Sequence, residues 1–179
     1  MEFIPTKIKG TYIIRNQAFL DRRGKFIKIY NEEEFHQLGL NTDFKEIFYT
    51  TSKKHTIRGM HFQNPPYDQE KLVYVIKGKI LDVILDIRPS SPTFGEFISY
   101  ELTSDKHEAI YVAKGCAHGY IALEEDSVVA YHVTSLFNKE ADDGVRYDSF
   151  GMEWDVEHPI LSDRDLSLLP FNQYKSLFK

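Results

Sequence analysis

Short apolar runs rich in β-branched and aromatic residues alternate with polar turns along most of the chain, a pattern that predicts β-strands. The runs recur at a spacing typical of sandwiches and barrels, and no strand–helix–strand unit is evident. The predicted strands are residues 10–15, 24–30, 44–51, 71–76, 80–87, 94–102, 109–113 and 128–135. The sequence therefore predicts an all-β sandwich with a few short helices.

The most apolar part of the chain is residues 71–87, where two strand-like runs flank a Lys-Gly-Lys break. A break that contains glycine between two such runs predicts a β-hairpin. The runs are apolar almost throughout, so both of their faces are expected to be covered. Asp82 and Asp86 nevertheless share one strand face. Charged side chains in covered strands need a structural or functional reason.

Helical character is confined to two places. Asn31 is predicted to cap a short helix over residues 32–38, with Glu34 as the reciprocal capping residue and Gly39 as the stop signal. The other place is the tail, residues 162–179, where the pattern does not define the boundaries. The helices are therefore expected to be minor additions to a β-fold.

Composition and charge narrow the class of protein. With 179 residues, 42% of them hydrophobic, and no linker-like segment, the chain is predicted to form one domain over residues 1–179. The net charge of −5 argues against a general nucleic-acid surface. No apolar run is long enough to cross a membrane or to act as a signal peptide, so we expect a cytoplasmic protein.

The single cysteine, Cys116, excludes an internal disulfide bond and suits a reducing compartment. Free cysteines are usually buried and unreactive. Cys116 is therefore predicted to be a packing residue, with a nucleophilic role left open.

Four features of the sequence are candidates for a site. They are Arg58 and His61 in RGMH, Lys71 at the start of a strand, His118 in GCAHG, and Tyr131 in VVAY. Each of them alone is explained by packing or by an ordinary surface position. Both histidines stand near glycines, where backbone can approach a ligand closely. It is their combination that indicates a site.

The segments RGMHFQ (58–63), DVILDIR (82–88), SPTFG (91–95) and AHG (117–119), followed by Leu161-Ser162 and Asp165, occur in the order and spacing of a known family. From about Gly10 to about Asp165, the chain resembles the nucleotide-sugar 3,5-epimerases typified by dTDP-4-dehydrorhamnose 3,5-epimerase. The resemblance implies a cupin-type jelly-roll β-sandwich that works as a homodimer, without a metal or other cofactor. It also implies a nucleotide-diphosphate 4-keto sugar as the substrate.

The resemblance implies an isomerase mechanism that uses four side chains. A ketone at C4 of a sugar acidifies the C–H bonds at C3 and C5, so a base, an acid and a group that stabilises the enolate suffice. His61 matches the base of the family, and Asp165 matches the residue that orients its imidazole. Lys71 matches the cation beside the enolate oxygen, and Tyr131 matches the acid on the opposite face.

Further matched positions are implied to bind the substrate. Arg58 and His118 would lie along the sugar and the diphosphate, since a guanidinium suits phosphate oxygens. Arg23 and Phe26 match positions that reach the nucleotide from the neighbouring subunit. Gln63 completes the first motif and is counted with the substrate-binding residues.

Several positions that would bind the substrate depart from the pattern of the rhamnose-pathway enzymes. Lys28, Glu46 and Phe48 stand where relatives usually carry Glu, Gln and Asn for the nucleotide. Phe137 replaces a tyrosine, and Asp142 replaces a glutamate. Loss of polar partners would weaken thymine recognition, whereas a carboxylate and an aromatic ring suit guanine. We therefore expect an epimerase that inverts C3, C5 or both in a GDP-linked 4-keto-6-deoxy hexose or heptose of surface polysaccharide synthesis.

Three alternatives remain open. The first is an ordinary dTDP-4-dehydrorhamnose 3,5-epimerase of dTDP-L-rhamnose synthesis. The second is a metal-dependent cupin enzyme, for which His61, Glu70 and His118 would have to form the ligand set. The third is a non-catalytic protein that binds a sugar nucleotide, and solvent exchange of substrate hydrogens would distinguish it from an enzyme.

Overall fold

The computed structural model describes residues 1–179, and most of its regular structure is β-strand. The strands are β1 (Glu2–Pro5), β2 (Tyr12–Arg15), β3 (Ala18–Asp21), β4 (Gly24–Ile27), β5 (Glu46–Ser52), β6 (Ile57–Gln63), β7 (Lys71–Lys77), β8 (Lys79–Asp86), β9 (Phe97–Thr103), β10 (Glu108–Val112), β11 (Cys116–Ala122), β12 (Ser127–Val133) and β13 (Asp142–Gly144). The helices are α1 (Glu32–Gln37), α2 (Asp163–Ser167) and a 3-10 helix (Phe171–Gln173). None of these helices has the length and apolar character needed to cross a membrane.

Two antiparallel sheets pack face to face and confirm the predicted β-sandwich. The larger sheet has the order β1-β2-β10-β7-β12-β5, and the smaller has the order β13-β6-β11-β8-β9. The remaining strands, β3 and β4, form a separate hairpin. The strands β6, β7, β11 and β12 carry six of the fourteen candidate residues and lie inside the sheets, not at their edges.

The predicted hairpin over residues 71–87 is wrong. β7 pairs with β10 and β12, whereas β8 pairs with β9 and β11, so the chain crosses between the sheets at Gly78. Gly78 has a φ of +81°, and a Cβ there would lie 2.6 Å from the Ser127 hydroxyl, so the turn requires glycine. In sequence, a glycine turn that returns within one sheet looks the same as one that crosses to another.

Apolar side chains form three layers. The central layer lies between the sheets and includes Val73, Ile84 and Tyr120. The C-terminal segment covers the outer face of the smaller sheet through residues such as Trp154, and α1 covers the outer face of the larger sheet through Phe35. Both faces of β7 and β8 are therefore covered, as predicted.

Cys116 belongs to the central layer, where it is 4% exposed. Burial raises the pKa of its thiol to about 12, so the reactive thiolate is scarce at neutral pH. The structure thus agrees with a packing role for this residue.

Helix α1 forms where it is predicted, but one of its capping contacts differs. The Asn31 side chain accepts hydrogen bonds from the backbone N–H groups of Glu33 and Glu34. The predicted reciprocal role of Glu34 is wrong, because its carboxylate pairs with the N-terminal ammonium of Met1 at 2.6 Å. A charged donor holds a carboxylate more strongly than a neutral backbone N–H does. In the tail, only α2 and the 3-10 helix are helical.

The sequence pattern does not predict β1, β3, β6, β11 and β13. β6 and β11 matter most, because they carry the RGMHFQ and AHG motifs. Glycine weakens a strand pattern, yet it is needed here for close approach. A Cβ at Gly59 would lie 2.6 Å from the Cα of Gly119, so these two glycines let β6 and β11 pack backbone to backbone.

The DVILDIR and SPTFG motifs meet around the buried carboxylate of Asp86. This carboxylate accepts hydrogen bonds from Arg88 Nη2 at 2.7 Å, Ser91 Oγ at 2.6 Å and Thr93 Oγ1 at 2.7 Å. Burial raises the pKa of Asp86, but the donors outweigh this effect and leave the pKa below its usual value. These motif residues are therefore structural and tie the end of β8 to the following loop.

Asp86→Asn is expected to lower the free energy of unfolding by roughly 3–5 kcal/mol, since it leaves the partly buried Arg88 without its counter-charge. Urea denaturation measures the change. Asp148→Asn is the matched control, because Asp148 pairs with Arg146 at the surface, where a pair contributes only about 0–1 kcal/mol. Equal losses in the two variants would contradict the structural role of Asp86.

Candidate active site

A cavity of about 240 Å³ opens between the two sheets at the end where β6 and β12 carry His61 and Tyr131. Ten of the fourteen predicted site residues line it: Glu46, Phe48, Arg58, His61, Gln63, Lys71, His118, Tyr131, Phe137 and Asp142. The other lining residues, which the sequence does not predict, are Thr50, Phe62, Gln69 and Val133. Of these, Thr50 follows Glu46 and Phe48 at strand spacing on β5, a period-2 signal that could have indicated it.

His61 and Asp165 form a hydrogen-bonded pair at one wall of the cavity. His61 Nε2 lies 2.6 Å from Asp165 Oδ1, and Asp165 Oδ2 also accepts a hydrogen bond from the Gly59 backbone N–H at 3.3 Å. Asp165 is in α2, and the Ser162 hydroxyl caps this helix by accepting from the Asp165 N–H. Because the carboxylate accepts the Nε2 proton, Nδ1 of a neutral imidazole carries the free lone pair. Nδ1 is therefore the nitrogen that can act as a base.

The charges around this pair suit that role. Burial lowers the pKa of His61 and outweighs the opposing effect of Asp165, so the imidazole is neutral at physiological pH. Burial raises the pKa of Asp165, but the interaction with His61 overcomes this effect and lowers it. A neutral base beside an ionised carboxylate is ready to accept a proton.

Lys71 is buried beside His61 and donates a hydrogen bond from Nζ to the His61 carbonyl oxygen at 3.1 Å. Burial lowers the pKa of Lys71 to about 8, with Asp142 and Asp82 opposing the shift. The ammonium is therefore still mostly charged at neutral pH. A buried positive charge can stabilise an oxyanion that forms next to it.

Tyr131 lies on β12, in the sheet opposite to the one that carries His61. Its ring stacks on Phe48 with a centroid distance of 4.9 Å and an interplanar angle of 14°. Burial raises the pKa of Tyr131 well above its ordinary value, so the phenol keeps its proton until a stronger base forms nearby. A proton acceptor and a proton donor thus lie on opposite sheets of one cavity.

Arg58 and His118 each have a fixed partner inside the protein. Arg58 donates from Nε to the Ser52 hydroxyl at 3.0 Å and from Nη2 to the Thr51 carbonyl at 3.2 Å. His118 Nε2 lies 2.7 Å from the buried carboxylate of Asp82. Since Arg58 Nη1 has no hydrogen-bond partner, it can meet an anionic ligand.

Three residues that are predicted to bind the substrate have partners within the protein. The Glu46 carboxylate accepts a hydrogen bond from the Phe137 backbone N–H at 2.9 Å, and Phe48 stacks on Tyr131. The Gln63 side chain donates to the carbonyl oxygens of Tyr67 and Leu136, and its own oxygen accepts from the Asn138 N–H. Glu46 and Gln63 together hold the loop that places Phe137 at the cavity.

Arg23, Phe26 and Lys28 do not line the cavity. Arg23 and Phe26 lie on the exposed β3–β4 hairpin, where Phe26 is 61% exposed, and Lys28 is an exposed residue that follows β4. Arg23 pairs with Asp21 of the same hairpin at 2.6 Å. Within one chain, these residues are therefore separate from His61 and Tyr131.

The ligand set of the metal alternative does not come together. The Glu70 carboxylate accepts from the Thr134 hydroxyl at 2.6 Å and does not line the cavity that His61 and His118 share. No group of three or more His, Cys, Asp or Glu side chains has an arrangement that could hold a metal ion.

Comparison with known proteins adds to this geometry. A sequence model of dTDP-4-dehydrorhamnose 3,5-epimerase matches residues 5–173. The dTDP-4-dehydrorhamnose 3,5-epimerase of Shigella flexneri is 33% identical over 170 residues, which are 93% of this chain and 94% of the relative.

Two crystal structures of relatives are also similar over nearly the whole chain. The dTDP-4-dehydrorhamnose 3,5-epimerase of Bacillus anthracis, with TDP and PPi bound, has a TM-score of 0.90 and 36% identity, and the match covers 93% of this chain and 97% of that one. The dTDP-6-deoxy-D-glucose-3,5-epimerase of Legionella pneumophila, in complex with dTDP-4-keto-L-rhamnose, has a TM-score of 0.92 and 29% identity. This match covers 97% of the present chain and 94% of the L. pneumophila chain. The chain therefore belongs to the dTDP-4-dehydrorhamnose 3,5-epimerase family, isomerases built on the cupin sandwich.

Proposed function

We propose that this protein epimerises a dTDP-linked 4-keto-6-deoxy sugar at C3 and C5, as a dTDP-4-dehydrorhamnose 3,5-epimerase of dTDP-L-rhamnose synthesis. One observation carries the proposal. His61, which is paired with Asp165 of α2, and the Tyr131 phenol lie on opposite sheets of one cavity, and the Lys71 ammonium is buried beside His61. Inversion at a carbon needs proton removal on one face and proton delivery on the other.

The reaction follows from these positions. Nδ1 of His61 takes the proton from the carbon next to the C4 ketone, and the electron pair of the broken C–H bond forms the enolate. Lys71 stabilises the negative charge on the enolate oxygen, and Asp165 stabilises the imidazolium. Tyr131 then gives its proton to the opposite face of the carbon, and the ketone forms again. Solvent then takes the proton from His61 and returns one to Tyr131, after which the same steps serve the other carbon.

The relatives favour thymidine as the base of the nucleotide. The B. anthracis protein has TDP bound and the L. pneumophila protein has a dTDP-linked sugar bound, whereas the expectation of a GDP-linked substrate has no support among these relatives. That expectation rested largely on Glu46 and Phe48. Both side chains have partners within the protein, the Phe137 N–H and the Tyr131 ring, so their departure from the family pattern does not require a different base.

We further propose that the protein acts as a homodimer. The cavity of about 240 Å³ is smaller than the roughly 300–1,000 Å³ of typical small-molecule sites, so the nucleotide would extend beyond it. The β3–β4 hairpin exposes Phe19 and Phe26 at 54% and 61%, and the edge strand β5 exposes Ile47 at 67%. These apolar surfaces suit contact with a neighbouring subunit. In such a dimer, Arg23, Phe26 and Lys28 of one subunit would reach the nucleotide that the other subunit binds.

Incubation with dTDP- and GDP-linked 4-keto-6-deoxy sugars in D₂O tests the function. Mass spectrometry counts the deuterons incorporated, and chromatography identifies the epimerised product. Two deuterons in the dTDP-linked sugar, with little reaction of the GDP-linked sugar, is the expected result. Faster turnover of the GDP-linked sugar would overturn the choice of nucleotide, and incorporation of a single deuteron would limit the reaction to one carbon.

Activity is expected to follow a bell-shaped pH profile. His61 acts as a base only when neutral, and burial lowers its pKa, so the acid limb should lie below the ordinary value of about 6.5. Lys71 acts only when charged, so activity should fall as the pH rises through its pKa of about 8. Measurement of kcat/KM across this range locates both limbs. In Lys71→Arg, the residual activity should lose the alkaline limb, and a limb that stays in place would belong to another group.

A further inference from the structure

A line of hydroxyl groups connects Arg58 to the neighbourhood of Tyr131. Arg58 Nε donates to Ser52 Oγ at 3.0 Å, Ser52 Oγ lies 2.8 Å from the Tyr120 hydroxyl, and that hydroxyl lies 2.8 Å from Thr50 Oγ1. Ser52 is 3% exposed and Tyr120 is fully buried. The line crosses the sandwich, since Ser52 and Thr50 are on β5 of the larger sheet and Tyr120 is on β11 of the smaller one.

The hydrogen bonds in this line have one direction. A guanidinium can only donate, so Ser52 Oγ accepts from Arg58 and its own hydrogen must point elsewhere. Its only other partner is the Tyr120 oxygen. Tyr120 then donates to Thr50, because a buried hydroxyl hydrogen without an acceptor is costly. The Thr50 hydrogen is left free to donate to a further group.

The candidate for that further group is the hydroxyl of Tyr131. Thr50 and Tyr131 both line the cavity, on the neighbouring strands β5 and β12. Burial raises the pKa of Tyr131 well above its ordinary value, and Tyr120 and Asp82 add to the rise, whereas Thr50 and the charge of Arg58 oppose it. Thr50 and Arg58 therefore favour the phenolate form of the residue that the proposed mechanism deprotonates.

We propose that Arg58, Ser52, Tyr120 and Thr50 form a directional hydrogen-bond relay that stabilises Tyr131 as a phenolate after it has protonated the sugar. This inference rests on the proposed function of Tyr131 as the acid. When the Tyr131 O–H bond breaks, its proton forms the new C–H bond and the electron pair stays on the phenolate oxygen. Thr50 donates to that oxygen until a proton from water restores the phenol. Ser52, Tyr120 and Thr50 are thus positioning residues that act through Tyr131.

The kinetic test compares variants that interrupt the relay with variants that keep it. Thr50→Val and Tyr120→Phe each remove one hydroxyl and keep the size of the side chain, whereas Thr50→Ser keeps the hydroxyl. In Thr50→Val, the Tyr131 phenolate loses a hydrogen bond. The kcat for inversion should therefore fall about ten- to a hundredfold, with KM unchanged. Deuterium exchange at the substrate, which needs only His61, should continue. Thr50→Ser should retain inversion.

Tyr74→Phe is the matched control for Tyr120→Phe. Tyr74 is on β7 and bonds to His132 at 3.3 Å outside the cavity, so this variant should invert the sugar at the wild-type rate. Equal loss of exchange and inversion in Thr50→Val, or normal inversion in both Thr50→Val and Tyr120→Phe, would overturn the relay.

A measurement without substrate separates the relay from the proposed function. With 3,5-difluorotyrosine in place of Tyr131, the ionisation of this one phenol can be followed by absorbance at accessible pH. Thr50→Val should raise the pKa of the analogue by about one unit, because the phenolate loses a donor, and Tyr74→Phe should leave it unchanged. An unchanged pKa in Thr50→Val would refute the relay. If wild-type protein inverted no dTDP-linked sugar, the proposed function would fail, while this titration would still decide on the relay.

Discussion

His61→Asn is expected to lower both hydrogen exchange from the substrate and formation of the epimerised product by orders of magnitude. The imidazole is the group that removes the proton, and general base catalysis contributes roughly 10²–10⁴-fold, so both rates should fall by about that factor. Asparagine keeps a polar side chain at the cavity wall, so the affinity for dTDP should change little. Deuterium uptake measured by mass spectrometry and calorimetric titration with dTDP give the two quantities.

Two further variants test whether the loss of activity in His61→Asn comes from the base itself. Asp165→Asn should be milder than His61→Asn, because an amide oxygen can still accept the Nε2 proton but cannot stabilise the imidazolium by charge. His132→Asn is the matched control, since His132 bonds to Tyr74 outside the cavity and its loss should not affect turnover. Exchange near the wild-type rate in His61→Asn would refute the assignment of the base.

The apolar pattern of the sequence locates strands well but does not determine their partners. The predicted strand over residues 109–113 agrees closely with β10 (Glu108–Val112), and residues 71–76 agree with β7 (Lys71–Lys77). The pairing of β7 with β10 and β12 depends on how the sheets pack, and nothing near Gly78 in the sequence records it. Apolar strands covered on both faces can be accommodated by either sheet, so the pattern leaves the choice open.

In the candidate site, too, residues within sequence motifs can be predicted, whereas contacts that form only when the sheets pack cannot. His61, Lys71 and Tyr131 could be found because each belongs to a motif whose spacing resembles a family. The hydrogen bond between Thr50 and Tyr120 could not be found in this way, because the sequence does not show which strand brings a partner across the sandwich.

Positions that depart from a family pattern indicate the ligand less directly than positions that match it. Glu46 and Phe48 suggested a guanine base when they were compared only with the side chains that relatives usually carry. Their contacts with the Phe137 N–H and the Tyr131 ring exist only in the folded chain. A residue that replaces a ligand contact can acquire a structural partner, and sequence comparison alone does not show this.

Tyr131→Phe is expected to separate proton removal from inversion. Phenylalanine keeps the ring that stacks on Phe48 at 4.9 Å, and only the hydroxyl is lost. His61 can still take a proton from the sugar and return a deuteron to the same face, so exchange should continue. Inversion should fall by roughly 10²–10⁴-fold, the usual contribution of a general acid. Comparing deuterium in recovered substrate with the amount of epimerised product measures the separation.

Tyr111→Phe is the control for the loss of a buried hydroxyl. Tyr111 is 2% exposed, and its hydroxyl accepts a hydrogen bond from the Asn41 N–H at 3.1 Å in the layer beneath α1, so its loss affects stability without touching the cavity. If Tyr131→Phe lost exchange and inversion equally while Tyr111→Phe kept both, Tyr131 would hold the substrate and would not be the acid. Position 137 offers no second phenol, because Phe137 has no hydroxyl to deliver a proton. Exchange that persists without inversion would therefore assign proton delivery on the face opposite His61 to Tyr131.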